Sequence, residues 1–103
     1  MAELAEIQSR ICEKRKDRGF VDDPLKIQLL LMEEVGEISS ELKRLWSKNY
    51  DQFDTSRLAN EISDTFVLLT ALASHFEIDL EQAVERKFFN ADDKRTWASK
   101  PDS

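Results

Sequence analysis

Two stretches of sequence decide the fold of this chain: LLLMEEVGE at residues 29–37 and EISDTFVLL at residues 61–69. Each sets carboxylates three residues apart beside a run of apolar side chains, and residues i and i+3 share one face of an α-helix. Glu34 and Glu37 therefore point together, and so do Glu61 and Asp64. The stretches predict two amphipathic helices whose acidic residues lie at the edge of the apolar face.

The two acidic pairs form a candidate metal site. Carboxylates gathered at the edge of a hydrophobic surface repel one another, and burial disfavours their ionised forms. A hard divalent cation removes these penalties, because Mg²⁺ prefers carboxylate oxygens and keeps waters for a phosphate-bearing substrate. A short connection favours antiparallel packing of the two helices, so the pairs can meet across their seam. The sequence predicts a four-oxygen pocket made by Glu34, Glu37, Glu61 and Asp64.

Four helices account for the chain as an all-α fold. Gly19 is predicted to end the first helix at the C′ position, Asp23 and Pro24 to open the second as N-cap and N1, and Asp79 to cap the fourth. The predicted helices run from Glu3 to Arg18, Pro24 to Ser47, Ser56 to Phe76 and Leu80 to Asn90. Residues 96–103 are predicted to be a flexible tail.

Apolar stripes on the two long helices predict the core. The stripe of the second helix comprises Leu31, Val35, Ile38, Leu42 and Leu45, and that of the third comprises Leu58, Ile62, Leu69, Leu72 and Phe76. The second helix carries further apolar residues off its stripe, namely Leu25, Leu29, Met32 and Trp46. A helix that is apolar on more than one side in so small a domain predicts a second burial partner, most simply another copy of the chain.

Length and composition bound the class of protein. The 103 residues fit a single domain, residues 1–103, and only two Gly and two Pro leave little room for the turns of an all-β fold. A net charge of −6 argues against a nucleic-acid partner. No stretch reaches the length of a membrane span, and the acidic N-terminus does not resemble a signal peptide. The single cysteine, Cys12, fits a reducing cytoplasm and is expected to be a semi-buried hydrophobe rather than a nucleophile.

The segment Glu33-Glu34-Val35-Gly36-Glu37, followed by Glu61-Ile62-Ser63-Asp64, resembles the EExxE…ExxD signature of the MazG-like all-α nucleotide pyrophosphohydrolases. The similarity extends from Gly19-Phe20 to the closing segment Lys87…Asn90…Lys94-Arg95. It implies a bundle of four to five helices with antiparallel central helices, completed by homodimerisation and in some members by a dimer of dimers. It also implies hydrolysis of (deoxy)nucleoside triphosphates to the monophosphate and pyrophosphate, with Mg²⁺ (or Mn²⁺ as a substitute) activating the water that attacks the α-phosphorus.

Carried onto this sequence, the resemblance makes Glu34, Glu37, Glu61 and Asp64 the metal ligands and Glu33 a supporting carboxylate of the catalytic set. Lys87 and Arg95 are the expected counter-charges for the polyphosphate, because positioning and electrostatics carry most of phosphoryl transfer. The candidates for contact with the base are two aromatic residues for stacking and two amides for its edge: Phe20, Trp46, Asn60 and Asn90.

Two other functions stay open. A phosphoribosyl-ATP pyrophosphohydrolase of histidine biosynthesis uses a similar carboxylate set, and a non-catalytic helical dimerisation module would use its acidic pairs only for solubility. Glu41 is expected to pair with Lys43 or Arg44 rather than to join the metal site. The solitary histidine, His75, argues against a zinc site or a di-iron centre.

Overall fold

A computed structural model describes residues 3–50 and 52–101 of the chain. Every regular element in these ranges is helical: α1 (Leu4–Asp17), α2 (Pro24–Trp46), α3 (Thr55–His75) and α4 (Leu80–Val84), which continues into a π-helical turn at Glu85–Ala91. The predicted all-α class with four helices is confirmed. The first three helices begin and end within one residue of the predicted positions.

Helix α1 ends where the sequence predicts. Gly19 has φ +71°, its N–H donates to the Lys16 carbonyl at 3.1 Å, and the Phe20 N–H donates to the Arg15 carbonyl at 3.0 Å. This Schellman pattern needs a left-handed residue, which glycine supplies at little cost. Helix α2 then starts under its predicted cap, because the Asp23 carboxylate accepts the N–H of Leu25 at 2.9 Å.

Helices α2 and α3 form the main packing pair. Ile27 and Leu31 of α2 share one apolar cluster with Leu68 and Ala71 of α3. Further along, Arg57 donates to Glu41 at 3.2 Å. Residue numbers therefore rise in opposite directions along the seam, so the predicted antiparallel arrangement is present, and the acidic stretches lie between the apolar cluster and this ion pair.

The predicted apolar stripes are wrong over much of their length. The buried residues of α2 are Ile27 and Leu31, and those of α3 are Leu68, Thr70, Ala71 and Ala73. Members of both predicted stripes are exposed instead, namely Val35, Leu42, Leu45, Ile62, Leu69 and Phe76. The reason is geometric: the seam uses a narrow face of each helix, and helical spacing alone does not reveal which apolar face meets the neighbour.

A buried glutamine joins α1 to the other end of the chain. The Gln8 amide donates to Ser74 Oγ at 3.1 Å and to the Ile78 carbonyl at 2.7 Å, and its oxygen accepts the Leu80 N–H at 3.0 Å. One side chain thus satisfies polar groups at the end of α3 and the start of α4. Glu81 of α4 reciprocates by accepting the Ala5 N–H of α1 at 3.1 Å.

The structure also bears on the predictions for the fourth helix, for the burial of Cys12 and for the C-terminal tail. The fourth helical segment ends at Ala91, within one residue of the predicted Asn90, but it is α-helical only over Leu80–Val84 and π-helical over Glu85–Ala91. Cys12 is exposed, which corrects its expected semi-burial, because it lies beside a surface cleft. Residues 96–101 carry no helix or strand, and the predicted tail extends to residues 102 and 103, which lie outside the described ranges.

Over the described part of the chain, no helix combines the length and apolarity needed to cross a bilayer.

Candidate metal centre

Three carboxylates from two helices converge at the seam. Glu34 of α2 and Glu61 and Asp64 of α3 each offer one oxygen, and these atoms all lie within 4.8 Å of one another. Glu34 and Glu61 are half-buried and Asp64 is exposed. The group therefore has an apolar side and an open side, which gives a ligand in solution access to the oxygens.

The sequence explains why these side chains meet. Glu61 and Asp64 are three residues apart on α3, which places them on one face. Glu34 follows the buried Leu31 of α2 by three residues, so it shares the face that packs on α3. The apolar contact between Leu31 and the Leu68 region holds the two helices in register.

Electrostatics at the site favour the binding of a cation. Partial burial raises the pKa of Glu34, and a hydrogen bond shared with Glu61 raises it further. The negative charges of Asp64, Glu61 and Glu37 act in the same direction. The fold thus concentrates negative charge without a compensating positive side chain in the group. Carboxylate oxygens around a shared centre are the donor set of Mg²⁺ and Mn²⁺, so these residues fit such an ion.

The remaining two acidic candidates lie outside this group. Glu37 acts on Glu34 through its charge, but none of its oxygens belongs to the set within 4.8 Å. Glu33 is exposed on the neighbouring face of α2. Of the four predicted ligands, the structure brings three together and leaves Glu37 at the edge.

Glu41, one turn beyond Glu37 on α2, forms ion pairs with two arginines. Its Oε1 lies 3.4 Å from Arg44 Nε and 3.2 Å from Arg57 Nε. The predicted pairing with Arg44 is confirmed. Arg57 was not anticipated, because its partner is 16 residues away on the other helix and no local spacing reveals it. This pairing leaves Glu41 committed to arginine rather than to the metal group.

The two predicted phosphate-binding cations lie together, away from the acidic group. Lys87 and Arg95 both pair with the carboxylate of Asp92. Among the described residues, no hydrogen bond or ion pair joins either cation to Glu34, Glu61 or Asp64. Sequence reasoning did not single out Asp92, although its position between two basic residues is a signal for such a pair.

The base-binding candidates are dispersed. Phe20 lies under the Arg15 guanidinium, 5.1 Å from ring centroid to Cζ, and lines a cleft of about 380 Å³ between α1 and the end of α3. Trp46 is 78% exposed at the end of α2, and the side chains of Asn60 and Asn90 are exposed. No acidic residue of the candidate metal centre lines the Phe20 cleft. The structure therefore does not assemble the four candidates into one pocket within a single chain.

Comparison with known proteins supplies one relative. The uncharacterized protein YpjD of Bacillus subtilis (strain 168) is 32% identical over 81 residues, which cover 75% of this chain and 73% of YpjD. The chain belongs to the YpjD family. No protein-family model matches it, and no solved structure gives a significant match.

Membership of the YpjD family assigns no activity, because the description of YpjD names none.

Proposed function

We propose that this chain is an Mg²⁺-dependent nucleoside triphosphate pyrophosphohydrolase of the MazG-like type, which hydrolyses (deoxy)nucleoside triphosphates to the monophosphate and pyrophosphate. The observation that carries the proposal is the convergence of one oxygen each from Glu34, Glu61 and Asp64 within 4.8 Å. These residues belong to the EExxE…ExxD pattern that resembles the MazG-like signature. The free thiol of Cys12 suits the reducing cytoplasm where such an enzyme would work.

The proposed roles combine the charge of each side chain with the resemblance of the sequence to the MazG-like signature. Glu34, Glu61 and Asp64 hold the cation, and Glu37 strengthens the negative potential that attracts it. When bound, Mg²⁺ supplies charge neutralisation at the phosphates and lowers the pKa of a coordinated water. Glu33, which is exposed next to Glu34 on α2, is proposed as a supporting carboxylate that helps to hold a second cation or to orient the attacking water. Lys87 and Arg95 are the proposed counter-charges for the distal phosphates.

Exposed apolar surface on α2 and α3 supports a homodimer. Large apolar side chains are exposed along both helices, including Leu25 at 78%, Leu29 at 72% and Ile62 at 50%. Monomeric proteins rarely leave so many large apolar residues uncovered on adjoining faces. We propose that a second copy of the chain covers this surface, and that the open side of the carboxylate group remains accessible to a nucleotide.

The direct test is a nucleotide screen with Mg²⁺ and product analysis by ion chromatography. The account predicts equal amounts of nucleoside monophosphate and pyrophosphate from at least one canonical or modified nucleoside triphosphate. Phosphoribosyl-ATP belongs in the same screen, since preferred turnover of that compound would identify the histidine-pathway enzyme instead. Orthophosphate release without pyrophosphate would contradict cleavage between the α and β phosphates.

Charge-neutral variants connect the activity to the site. Glu34→Gln, Glu61→Gln and Asp64→Asn should each lower kcat/KM by about 100-fold or more, the scale of losing an electrostatic contact in phosphoryl transfer. Glu13→Gln, an equal change in charge on the exposed surface of α1, should leave kcat/KM unaltered. A purely structural module would show no turnover in the unmodified protein and no Mg²⁺-dependent rise in melting temperature.

A further inference from the structure

A network of ion pairs crosses the seam between α2 and α3 two helical turns from the carboxylate group. Glu41 follows Glu34 by seven residues on α2, and Arg57 precedes Asp64 by seven residues on α3. Seven residues are about two turns of an α-helix, or roughly 10 Å. Because the helices are antiparallel and Arg57 Nε donates to Glu41 Oε1 at 3.2 Å, both pairs occupy the same seam in the same register. The network is therefore positioned to control how α2 and α3 meet at the candidate metal centre.

Arg57 links three parts of the chain through one guanidinium. Its Nε donates to Glu41 of α2, its Nη2 donates to the Gln52 carbonyl at 2.9 Å, and its Nη1 lies 3.6 Å from Oδ2 of Asp54, the N-cap of α3. A guanidinium offers five N–H donors in fixed directions, so it can hold several partners at once. Arg57 thus fastens the connection between the two helices, and the start of α3, to α2.

The Glu41 carboxylate is the least exposed member of the network. Its side chain is 12% exposed, compared with 27% for Arg44 and 44% for Arg57. Arg44 Nε is buried, has no hydrogen-bond partner among the described residues, and lies 3.4 Å from the same Glu41 oxygen that Arg57 binds. An isolated exposed ion pair contributes little, but a carboxylate shielded from water and shared by two arginines restrains both. We name Glu41, Arg44 and Arg57 the ionic clamp.

The ionic clamp opposes the repulsion within the metal-free carboxylate group. Glu34, Glu61 and Asp64 carry like charges, and their repulsion favours separation of α2 from α3. The apolar cluster around Leu31 and Leu68 holds the helices together on one side of the group. The ionic clamp holds them on the other side, so the ligand oxygens stay close before a cation arrives. A site that is already assembled binds more tightly, because little conformational freedom is lost on binding.

We propose that the ionic clamp is a positioning device that fixes the register of α2 against α3 and thereby sets the affinity of the carboxylate group for a divalent cation. The inference rests on the metal centre of the proposed function, and it assigns the clamp no contact with the cation or the nucleotide. Charge alone makes a different prediction: the positive field of Arg57 weakens cation binding, so removal of that charge would tighten it. Positioning predicts the opposite sign, because the same substitution releases the helices.

Titration with Mn²⁺ in the absence of nucleotide, followed by the electron paramagnetic resonance of the free ion, distinguishes these explanations. Glu41→Gln and Arg57→Gln should each raise the Kd of Mn²⁺ by about tenfold, the scale of losing a group that orients metal ligands. Arg10→Gln and Glu13→Gln, the same changes of residue on the exposed surface of α1, should stay within about twofold of the unmodified protein. The double variant Glu41→Gln/Arg57→Gln should bind no more weakly than the single variants, because either substitution already opens the clamp.

Two further variants separate positioning from charge and from stability. Arg57→Lys keeps the positive charge but loses the fork that holds several partners, so it should also weaken Mn²⁺ binding. Gln8→Ala removes hydrogen bonds between α1 and the α3–α4 connection, and it should lower the melting temperature without changing the Kd of Mn²⁺. Circular dichroism confirms that each protein is folded at the temperature of the titration. If Glu41→Gln does not fold, the two variants of Arg57 decide the question.

The outcomes for the ionic clamp and for the metal centre can be told apart. Unchanged or tighter Mn²⁺ binding in Arg57→Gln would overturn the inference and leave the metal centre standing. Equal weakening in Gln8→Ala would also overturn it, because a general loss of stability would then explain the effect. Absence of Mn²⁺ binding by the unmodified protein would remove the metal centre and the inference together.

Discussion

At the scale of single residues, Glu34 is the site where the acidic group most clearly destabilises the metal-free fold. Its side chain is half-buried, shares a hydrogen bond with Glu61, and faces the charges of Asp64 and Glu37. Because the fold raises the pKa of Glu34, the native state holds the carboxyl proton more tightly than the unfolded chain does. Ionised Glu34 therefore destabilises the metal-free protein, and a bound divalent cation would reverse the sign of that effect.

The pH dependence of stability tests this directly. As pH rises through the raised pKa of Glu34, the metal-free protein should lose stability relative to Glu34→Gln, in the acidic window just above the ordinary glutamate pKa. Below that window the two proteins should differ little. The measurement is chemical denaturation of both proteins across pH, with Glu13→Gln as a control. A constant difference between the unmodified protein and Glu34→Gln across the window would contradict the electrostatic account.

Glu77 holds a second left-handed turn that its residue type does not predict. Its φ is +55°, its N–H donates to the Ser74 carbonyl at 3.0 Å, and the Ile78 N–H donates to the Ala73 carbonyl at 2.9 Å. The end of α3 therefore repeats the hydrogen-bond pattern at the end of α1, but with glutamate where α1 has Gly19. A glycine at this position predicts a left-handed helix end from the sequence, whereas a glutamate does not.

Substitution at these two helix ends should act in opposite directions. Glu77→Gly should stabilise the fold by up to about 1 kcal/mol by removing left-handed strain. Gly19→Ala should destabilise it by about 1 kcal/mol, and the cause is strain alone, since nothing lies within 4 Å of the added Cβ. Each change corresponds to roughly 4–8 °C in melting temperature for a domain of this size. A lower melting temperature for Glu77→Gly would show that the glutamate side chain stabilises the turn.

At the scale of the helices, Gln8 is the side chain that ties α1 to the α3–α4 connection. It makes three hydrogen bonds while 8% exposed, and two of them satisfy the main-chain groups of Ile78 and Leu80. Gln8→Ala would leave these partly buried groups without their side-chain partner. The expected loss is about 2–4 kcal/mol of unfolding free energy. Urea denaturation measures it, with Gln28→Ala on the exposed side of α2 as the control. A loss equal to that of the control would mean that water replaces Gln8.

The helices themselves could be predicted from the sequence more accurately than their contacts. Asp23, Pro24, Gly19 and Asp79 carry local chemistry that fixes helix ends, and the helices begin and end accordingly. The partner face of each helix depends on which residues oppose one another across the seam. Leu68 and Ala71 pack there rather than Leu69 and Phe76, and no spacing within α3 distinguishes these sets.

In the candidate site too, the features set by local spacing could be predicted and those set by contacts between helices could not. The i,i+3 pair Glu61 and Asp64 could be predicted from spacing, and so could the convergence with Glu34 once the helices are antiparallel. The position of Glu37 outside the close group depends on how the two helices meet, which sequence spacing does not fix. The pairing of Lys87 with Asp92 depends on the π-helical turn, for which the sequence carries no recognised signal, whereas Arg95 follows Asp92 by three residues, a spacing that does indicate an ion pair.

For the whole molecule, the exposed apolar face of α2 and α3 leads to a prediction about assembly. Light scattering after gel filtration should give the mass of a dimer or a dimer of dimers, since the proposed interface buries Leu29 and its neighbours. Leu29→Asp should shift the protein towards monomer, because it places a charge in that interface. Gln28→Asp, an equal charge on the adjoining exposed position, should leave the mass unchanged. A monomeric unmodified protein at micromolar concentration would contradict the proposed interface.

The central claim is that the seam between α2 and α3 binds a divalent cation through Glu34, Glu61 and Asp64. Titration with Mn²⁺, followed by the electron paramagnetic resonance signal of the free ion, measures that binding without any nucleotide. The account predicts saturable binding of Mn²⁺ by the unmodified protein and by Glu13→Gln, competition by Mg²⁺, and severe weakening in Glu34→Gln and Asp64→Asn. Equal Mn²⁺ binding by all four proteins would contradict it.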